Sequence, residues 1–221
     1  MLEKHILEAA RDYKYLLDRG YPQQLSLIFV SNRWNLSKEE RMILYRCIHP
    51  SIEATSIREK HLDPESIRGN ILVIDTYNVL LTLKASVECE EIFLCDDGIV
   101  RDILSSRSKA SKDKTLYSLT PILVSEIAHL APNKAIFIVD KQVSMSKELC
   151  NNIKSLATNL VVETILAPKT DKEIIKLSET NPDVIVASSD ILILRDSPRV
   201  FDLAGYIIRR RWSKKLINIR L

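Results

Sequence analysis

Short apolar runs, each closed by an aspartate and separated by stretches long enough for a helix, constrain this chain more than any other feature. The runs are Ile71-Leu72-Val73-Ile74 before Asp75, Ile92-Phe93-Leu94-Cys95 before Asp96 and Asp97, Ile136-Phe137-Ile138-Val139 before Asp140, and Val184-Ile185-Val186-Ala187 shortly before Asp190. Continuous apolar runs of this length read as strands buried on both faces, and their alternation with helical stretches argues a parallel sheet in an α/β fold. In such a sheet the strand exits share one edge, and ligands bind in the crevice where strand order reverses. Carboxylates gathered there repel one another unless a cation, a proton or an arginine intervenes. A divalent ion is the simplest remedy, and it points to phosphoryl chemistry.

The remaining elements follow from periodicity. Helices are expected near 77–88, across 115–130, over 145–158 and from Asp171 to Glu179, with further strands at Leu160–Glu163 and at either Arg199–Asp202 or Tyr206–Ile208. Residues 1–50 lack strand-like runs. Ile6, Leu7, Ala10, Tyr13 and Leu17 follow helical spacing up to a stop at Gly20, and a second helix opens after Tyr21-Pro22 with Leu25, Ile28, Phe29 and Trp34 as its apolar face. The capping-box pattern Ser37-Lys38-Glu39-Glu40 opens a third. Turn signals at Asp63-Pro64 and Gly69-Asn70 put the junction in the polar stretch that follows. The expected organisation is a helical module over 1–55, a linker over 56–70, and an α/β domain with a basic C-terminal segment over 71–221.

The 221 residues suit one α/β domain and a smaller module. A net charge of +3 says little about partners, but its distribution says more. Arg209-Arg210-Arg211-Trp212-Ser213-Lys214-Lys215 sets cations around an aromatic, and Arg107-Ser108-Lys109-Ala110-Ser111-Lys112 is basic and serine-rich. Arg107, Lys109, Lys112, Arg209, Arg210, Arg211, Lys214 and Lys215 are therefore candidates for holding a phosphate backbone, against the blander reading of solvated charge. Cys47, Cys89, Cys95 and Cys150 show no metal or disulfide spacing. No apolar run approaches the roughly 20 residues that span a bilayer, and no cleavable leader pattern opens the chain, so a cytoplasmic protein without a membrane partner is expected.

Asp75 lies in Val73-Ile74-Asp75-Thr76-Tyr77-Asn78-Val79, with Asn78 placed at the start of the next helix to face the same crevice. Asp171, in Lys169-Thr170-Asp171, stands where a loop hands over to a helix, and Asp190 follows Ser188-Ser189 at a strand end. Each has a plainer alternative as a cap or turn residue. Hard oxygen donors suit Mg2+ or Mn2+, and the absence of clustered His and Cys disfavours zinc. His5, His49, His61 and His129 are scattered and none sits at a strand exit, which leaves activation of water to the ion.

The segments around Asp75 (Ile-Asp-Thr-Tyr-Asn-Val), Asp171 (Lys-Thr-Asp) and Asp190 (Ser-Ser-Asp) resemble acidic motifs of the PIN/NYN-like ribonuclease superfamily. The whole chain, from Arg11-Asp12-Tyr13 through Gly20-Tyr21-Pro22 to Glu40-Arg41 and beyond, resembles an uncharacterised, mainly archaeal family that joins a small helical domain of unknown function to such a domain. The resemblance implies a three-layer α/β/α fold with a mainly parallel sheet behind a small all-α module. It implies Mg2+ or Mn2+ held by Asp75, Asp171 and Asp190, with Asn78 as helper, for hydrolysis of RNA, DNA being the other candidate substrate. By analogy it also implies a homodimer. Many NYN domains carry a second acid two residues after the last motif, where this chain has Leu192; Asp140 or Asp97 is the candidate replacement. The alternative is a non-catalytic RNA-binding or assembly module with a degenerate metal site. A haloacid-dehalogenase-type phosphatase is weaker, since Tyr77 stands where its second aspartate belongs, and a receiver-like reading of Asp96-Asp97 is weaker still.

Overall fold

A computed structural model of the protein describes residues 3–88, 91–103, 114–212, 216–219 and 221, without the side chains of 114 and 115. Among these residues the chain opens with four helices: α1 (Lys4–Asp18), α2 (Gln23–Arg33), α3 (Lys38–Cys47) and α4 (Ser51–Lys60). A single 3-10 turn leads to β1 (Ile71–Asp75), α5 (Thr76–Val87), β2 (Ile92–Leu94), β3 (Val100–Asp102), α6 (Lys114–Leu130), β4 (Lys134–Asp140) and α7 (Ser146–Leu156). Then come β5 (Val162–Ala167), α8 (Thr170–Thr180), β6 (Val184–Ala187), α9 (Ile191–Asp196), α10 (Leu203–Trp212) and β7 (Ile217–Asn218).

The described strands form two sheets. The larger is parallel, in the order β5-β4-β1-β6, so the chain runs outward from β1 on one side and then returns to its other side. The period-2 alternation of β1 explains its two cores. Leu72 and Ile74 point with Phe137 and Ile185 toward α5, α6, α7 and α10, whereas Val73 points with Ile136, Ile138 and Val186 toward Ile174 of α8 and Ile193 of α9. Helices therefore cover both faces.

The smaller sheet, β3-β2-β7, corrects one expectation: Ile92–Leu94 is not a strand of the parallel sheet. It pairs antiparallel with β3 across the Asp96-Asp97-Gly98 turn, where Gly98 takes φ +84, a conformation that favours glycine. Phe93, Cys95, Ile103 and Ile219 from this region complete the core of the helical module with Ala9, Tyr13, Leu44 and Ile48. The capping box closes as expected, with the Ser37 amide donating to Glu40 Oε2 at 2.6 Å and the Glu40 amide to Ser37 Oγ at 3.2 Å. Gly20, at φ +79, ends α1.

Other expectations need revision. The junction stretch contains a fourth helix, because Pro50 starts α4 and buries Ile57 against Ile99, Leu194 and Val200. Helix α2 turns Leu25, Ile28 and Phe29 to solvent, Phe29 being 66% exposed, and buries Ser26, Val30 and Ser31 instead. Strand β5 starts at Val162, two residues beyond the expected start. Tyr206–Ile208 belongs to α10, since Ile207 and Ile208 are both buried, which suits a helix and contradicts strand alternation. Val200 makes isolated bridges to His61 and Val186. No helix among the described residues is long and apolar enough to cross a membrane.

Candidate functional site

The return of the chain from β5 to β6 makes the gap between the exits of β1 and β6 the point where strand order reverses. Ile74 pairs with Ala187, so Asp75 stands level with Ser188. The Ser188 hydroxyl donates to Asp75 Oδ2 at 3.0 Å and accepts the Asp190 amide at 3.1 Å. One turn into α5, Asn78 Oδ1 accepts both the amide and the hydroxyl of Ser189, at 2.8 and 2.9 Å. Asp75 caps nothing in α5 with its side chain; it is turned across the sheet and is only 2% exposed. Asp190 caps α9 through Oδ1, which accepts the Leu192 amide at 3.0 Å. Ser188 and Ser189 thus lace Asp75, Asn78 and the backbone of Asp190 into one hydrogen-bonded edge.

The other acids are placed differently. Asp171 opens α8, which packs against β1, β4 and β6 from the face opposite α5. Asp140 Oδ1 accepts the Gln142 amide at 2.8 Å in a local turn at the exit of β4. Among the described residues, the group of three His, Cys, Asp or Glu side chains whose ligand atoms lie within 4.8 Å of one another is His49, Asp96 and Asp97, not Asp75, Asp171 and Asp190.

That group is already neutralised. Asp97 receives Arg101 through both oxygens, at 2.8 and 2.6 Å, and the Ile99 amide at 3.1 Å. Burial opposes its ionisation, but the Arg101 guanidinium outweighs burial and holds the Asp97 carboxyl below its usual range. Asp96 Oδ2 receives Lys14 at 2.7 Å and the His49 amide at 3.0 Å, and Oδ1 faces His49 Nδ1 at 2.7 Å. Two carboxylates are matched by Lys14 and Arg101, so a metal there would have to displace one of them. Asp97 is therefore committed to Arg101 and does not serve as the replacement ligand the sequence suggested.

Arg101 also donates through Nε to the Ser189 carbonyl at 2.8 Å, tying the small sheet to the β6 exit. The result is an open cleft of about 400 Å³ between the helical module and the carboxyl edge of the large sheet. The sheet contributes Asn78, Ser189 and Asp190, and the helical module contributes Tyr45, Arg46 and His49, with Arg101 and Arg195 beside them. His49 is the residue the sequence reasoning missed. Its neighbours Asp96 and Asp97 stand 47 and 48 positions away in the chain, and only the fold joins them.

The basic segments divide. Arg209 pairs with buried Asp202 at 3.3 Å, Arg210 lies 3.0 Å from buried Glu126, and Arg211 pairs with the same carboxylate. These arginines fasten α10 to the domain, with each side chain about half exposed. Arg107, Lys109, Lys112, Lys214 and Lys215 lie outside the described residues, as does Cys89. Cys47, Cys95 and Cys150 are free and buried.

Residues 64–206 match the family model described as Domain of unknown function (DUF5616). The chain belongs to that family. Residues 5–60, the helical module, match a second model, Protein of unknown function (DUF434). The two matches meet between 60 and 64, at the end of α4. A similar chain is the "Uncharacterized protein MJ0935" of Methanocaldococcus jannaschii, 31% identical over 206 residues, covering 92% of this chain and 96% of the archaeal protein. No solved structure matches.

Proposed function

We propose that the cleft is the active site of a metal-dependent nuclease of PIN/NYN-like type acting on RNA in the cytoplasm. The observation that carries the reading is that Asp75 and Asp190, 115 residues apart in the chain, are joined at the β1–β6 switch point through the Ser188 hydroxyl, which donates to Asp75 and accepts the Asp190 amide, with Asn78 holding Ser189 beside them. The donor set fits Mg2+ or Mn2+. Both prefer hard oxygens, and Mg2+ needs only one or two carboxylates when waters and substrate phosphates fill its remaining positions. Asp75 and Asp190 would hold the ion, with Asn78 fixing the Ser189 loop beside them. When bound, the ion lowers the pKa of a water and offsets charge that builds on the phosphate.

The chain's own residues do the rest. Among the described residues Arg195 commits only Nε to Glu53, at 2.7 Å, and is half exposed, so its remaining N–H groups can take a phosphate oxygen. Tyr45 and Arg46 line the opposite wall, so a strand in the cleft touches both the helical module and the sheet edge.

A second reading, a non-catalytic RNA-binding module, is favoured by the burial of Asp75 and by Leu192, 52% exposed at the rim where NYN-like domains carry an acid. Purified protein, end-labelled single-stranded RNA and Mn2+ separate the two. We expect cleavage that Asp75→Asn with Asp190→Asn abolishes; cleavage unchanged in that double variant refutes the nuclease reading. Calorimetric titration with Mn2+ should show binding lost in the same variant, whereas a wild type that binds no Mn2+ supports the non-catalytic module.

A further inference from the structure

We propose that His49, oriented by Asp96, is the proton-accepting residue of the cleft. The proposal rests on the nuclease reading and adds to it a group contributed by the helical module. His49 follows α3, and its side chain is only 4% exposed. Nδ1 lies 2.7 Å from Asp96 Oδ1, while Asp96 Oδ2 accepts Lys14 Nζ and the His49 amide. A carboxylate that accepts from an ammonium and an amide is ionised, so its other oxygen also accepts, and the proton of neutral His49 sits on Nδ1. Nε2 then carries the bare lone pair. Among the described residues Nε2 has no hydrogen-bond partner, and the ring lines the same cleft as Asn78, Ser189 and Asp190. A carboxylate behind an imidazole that faces a reaction cleft is the arrangement by which hydrolases fix the basic tautomer.

Lys14 of α1 donates to the His49 carbonyl at 2.9 Å as well as to Asp96. Asp97 stands 3.8 Å from Nδ1 and is spent on Arg101 of β3. Arg46 of α3 and Asp190, the N-cap of α9, line the cleft with it, Arg46 lying 3.6 Å from Asp102. In the hydrolysis the proton of the attacking water passes to Nε2 as the oxygen–phosphorus bond forms. The bond from phosphorus to the departing sugar oxygen breaks, and that oxygen takes a proton from solvent. His49 releases its proton to solvent with the product.

Two measurements test this. In protein with 15N-labelled histidine, the His49 resonances should report protonated Nδ1 and unprotonated Nε2, and a ten-nucleotide single-stranded RNA added in EDTA should shift Nε2. Protonated Nε2, or a resonance unmoved by RNA, overturns the proposal without touching the nuclease reading. In single-turnover cleavage with Mn2+ at saturating RNA, His49→Ala should slow the chemical step by about 10²–10⁴-fold, the usual range for a positioned acid–base group. His49→Asn, which keeps a donor toward Asp96 but no base, serves if the alanine variant does not fold. Cleavage at the wild-type rate in either variant overturns the proposal while the nuclease reading stands, whereas a wild type that never cleaves RNA overturns both.

Discussion

Replacing Asp97 with alanine should destabilise the protein far more than loss of a surface ion pair. Arg101 is 2% exposed and donates to both Asp97 oxygens and to the Ser189 carbonyl, so Asp97→Ala strands a guanidinium in the interior. Breaking a buried pair from one side costs about 3–5 kcal/mol, because the remaining charge has lost its compensation. For a chain of this size each kcal/mol moves Tm by about 2–4 °C, which puts the expected fall at roughly 6–20 °C. Urea unfolding followed by circular dichroism should show a lower midpoint with an unchanged slope, and Asp97→Val with Arg101→Met should recover most of the loss. A cost of about 1 kcal/mol or less, the range of exposed pairs, would refute the reasoning.

The same pair sets an acid limit. Because the folded-state pKa of Asp97 lies below its unfolded value, its contribution is complete above the ordinary carboxylate pKa of about 3.9 and disappears as pH falls through the lower folded value; the stability gap between wild type and Asp97→Asn should close over that window. Gly205→Ala should cost about 1–3 kcal/mol in urea titrations, because the new methyl group meets the buried Asp202 carboxyl and Val100. Arg210→Ala with Arg211→Ala should destabilise more than Glu126→Ala, since the first leaves a buried carboxylate bare and the second leaves two half-exposed arginines that water can solvate. Equal costs in parallel urea titrations would contradict that asymmetry.

What could be read from the chain was whatever depended on neighbours in sequence. The runs at Ile71, Ile136 and Val184 became strands of the parallel sheet, and α5 to α8 lie where periodicity put them, because each buries a face set by its own spacing. The capping box at Ser37 and the stop at Gly20 are likewise local. The run at Ile92 misled because a short apolar run looks alike in either sheet, and its membership is decided by pairing with β3 and β7. Helix α2 misled because its more apolar face is the exposed one, so burial did not follow hydrophobicity. At the site, Asp75 and Asp190 were legible as strand-exit residues and Asn78 as a residue at the start of the following helix. The Asp97–Arg101 pair and the His49–Asp96 contact were not, since each depends on side-chain direction after the chain has closed.

The small sheet roofs the helical module with Phe93, Cys95, Ile103 and Ile219, while the module supplies Tyr45, Arg46 and His49 to the cleft. The two family segments are therefore obligate companions. A descendant chain that shed residues 1–60 would leave a greasy ceiling open to water and forfeit one wall of the crevice, so selection on either half is selection on both.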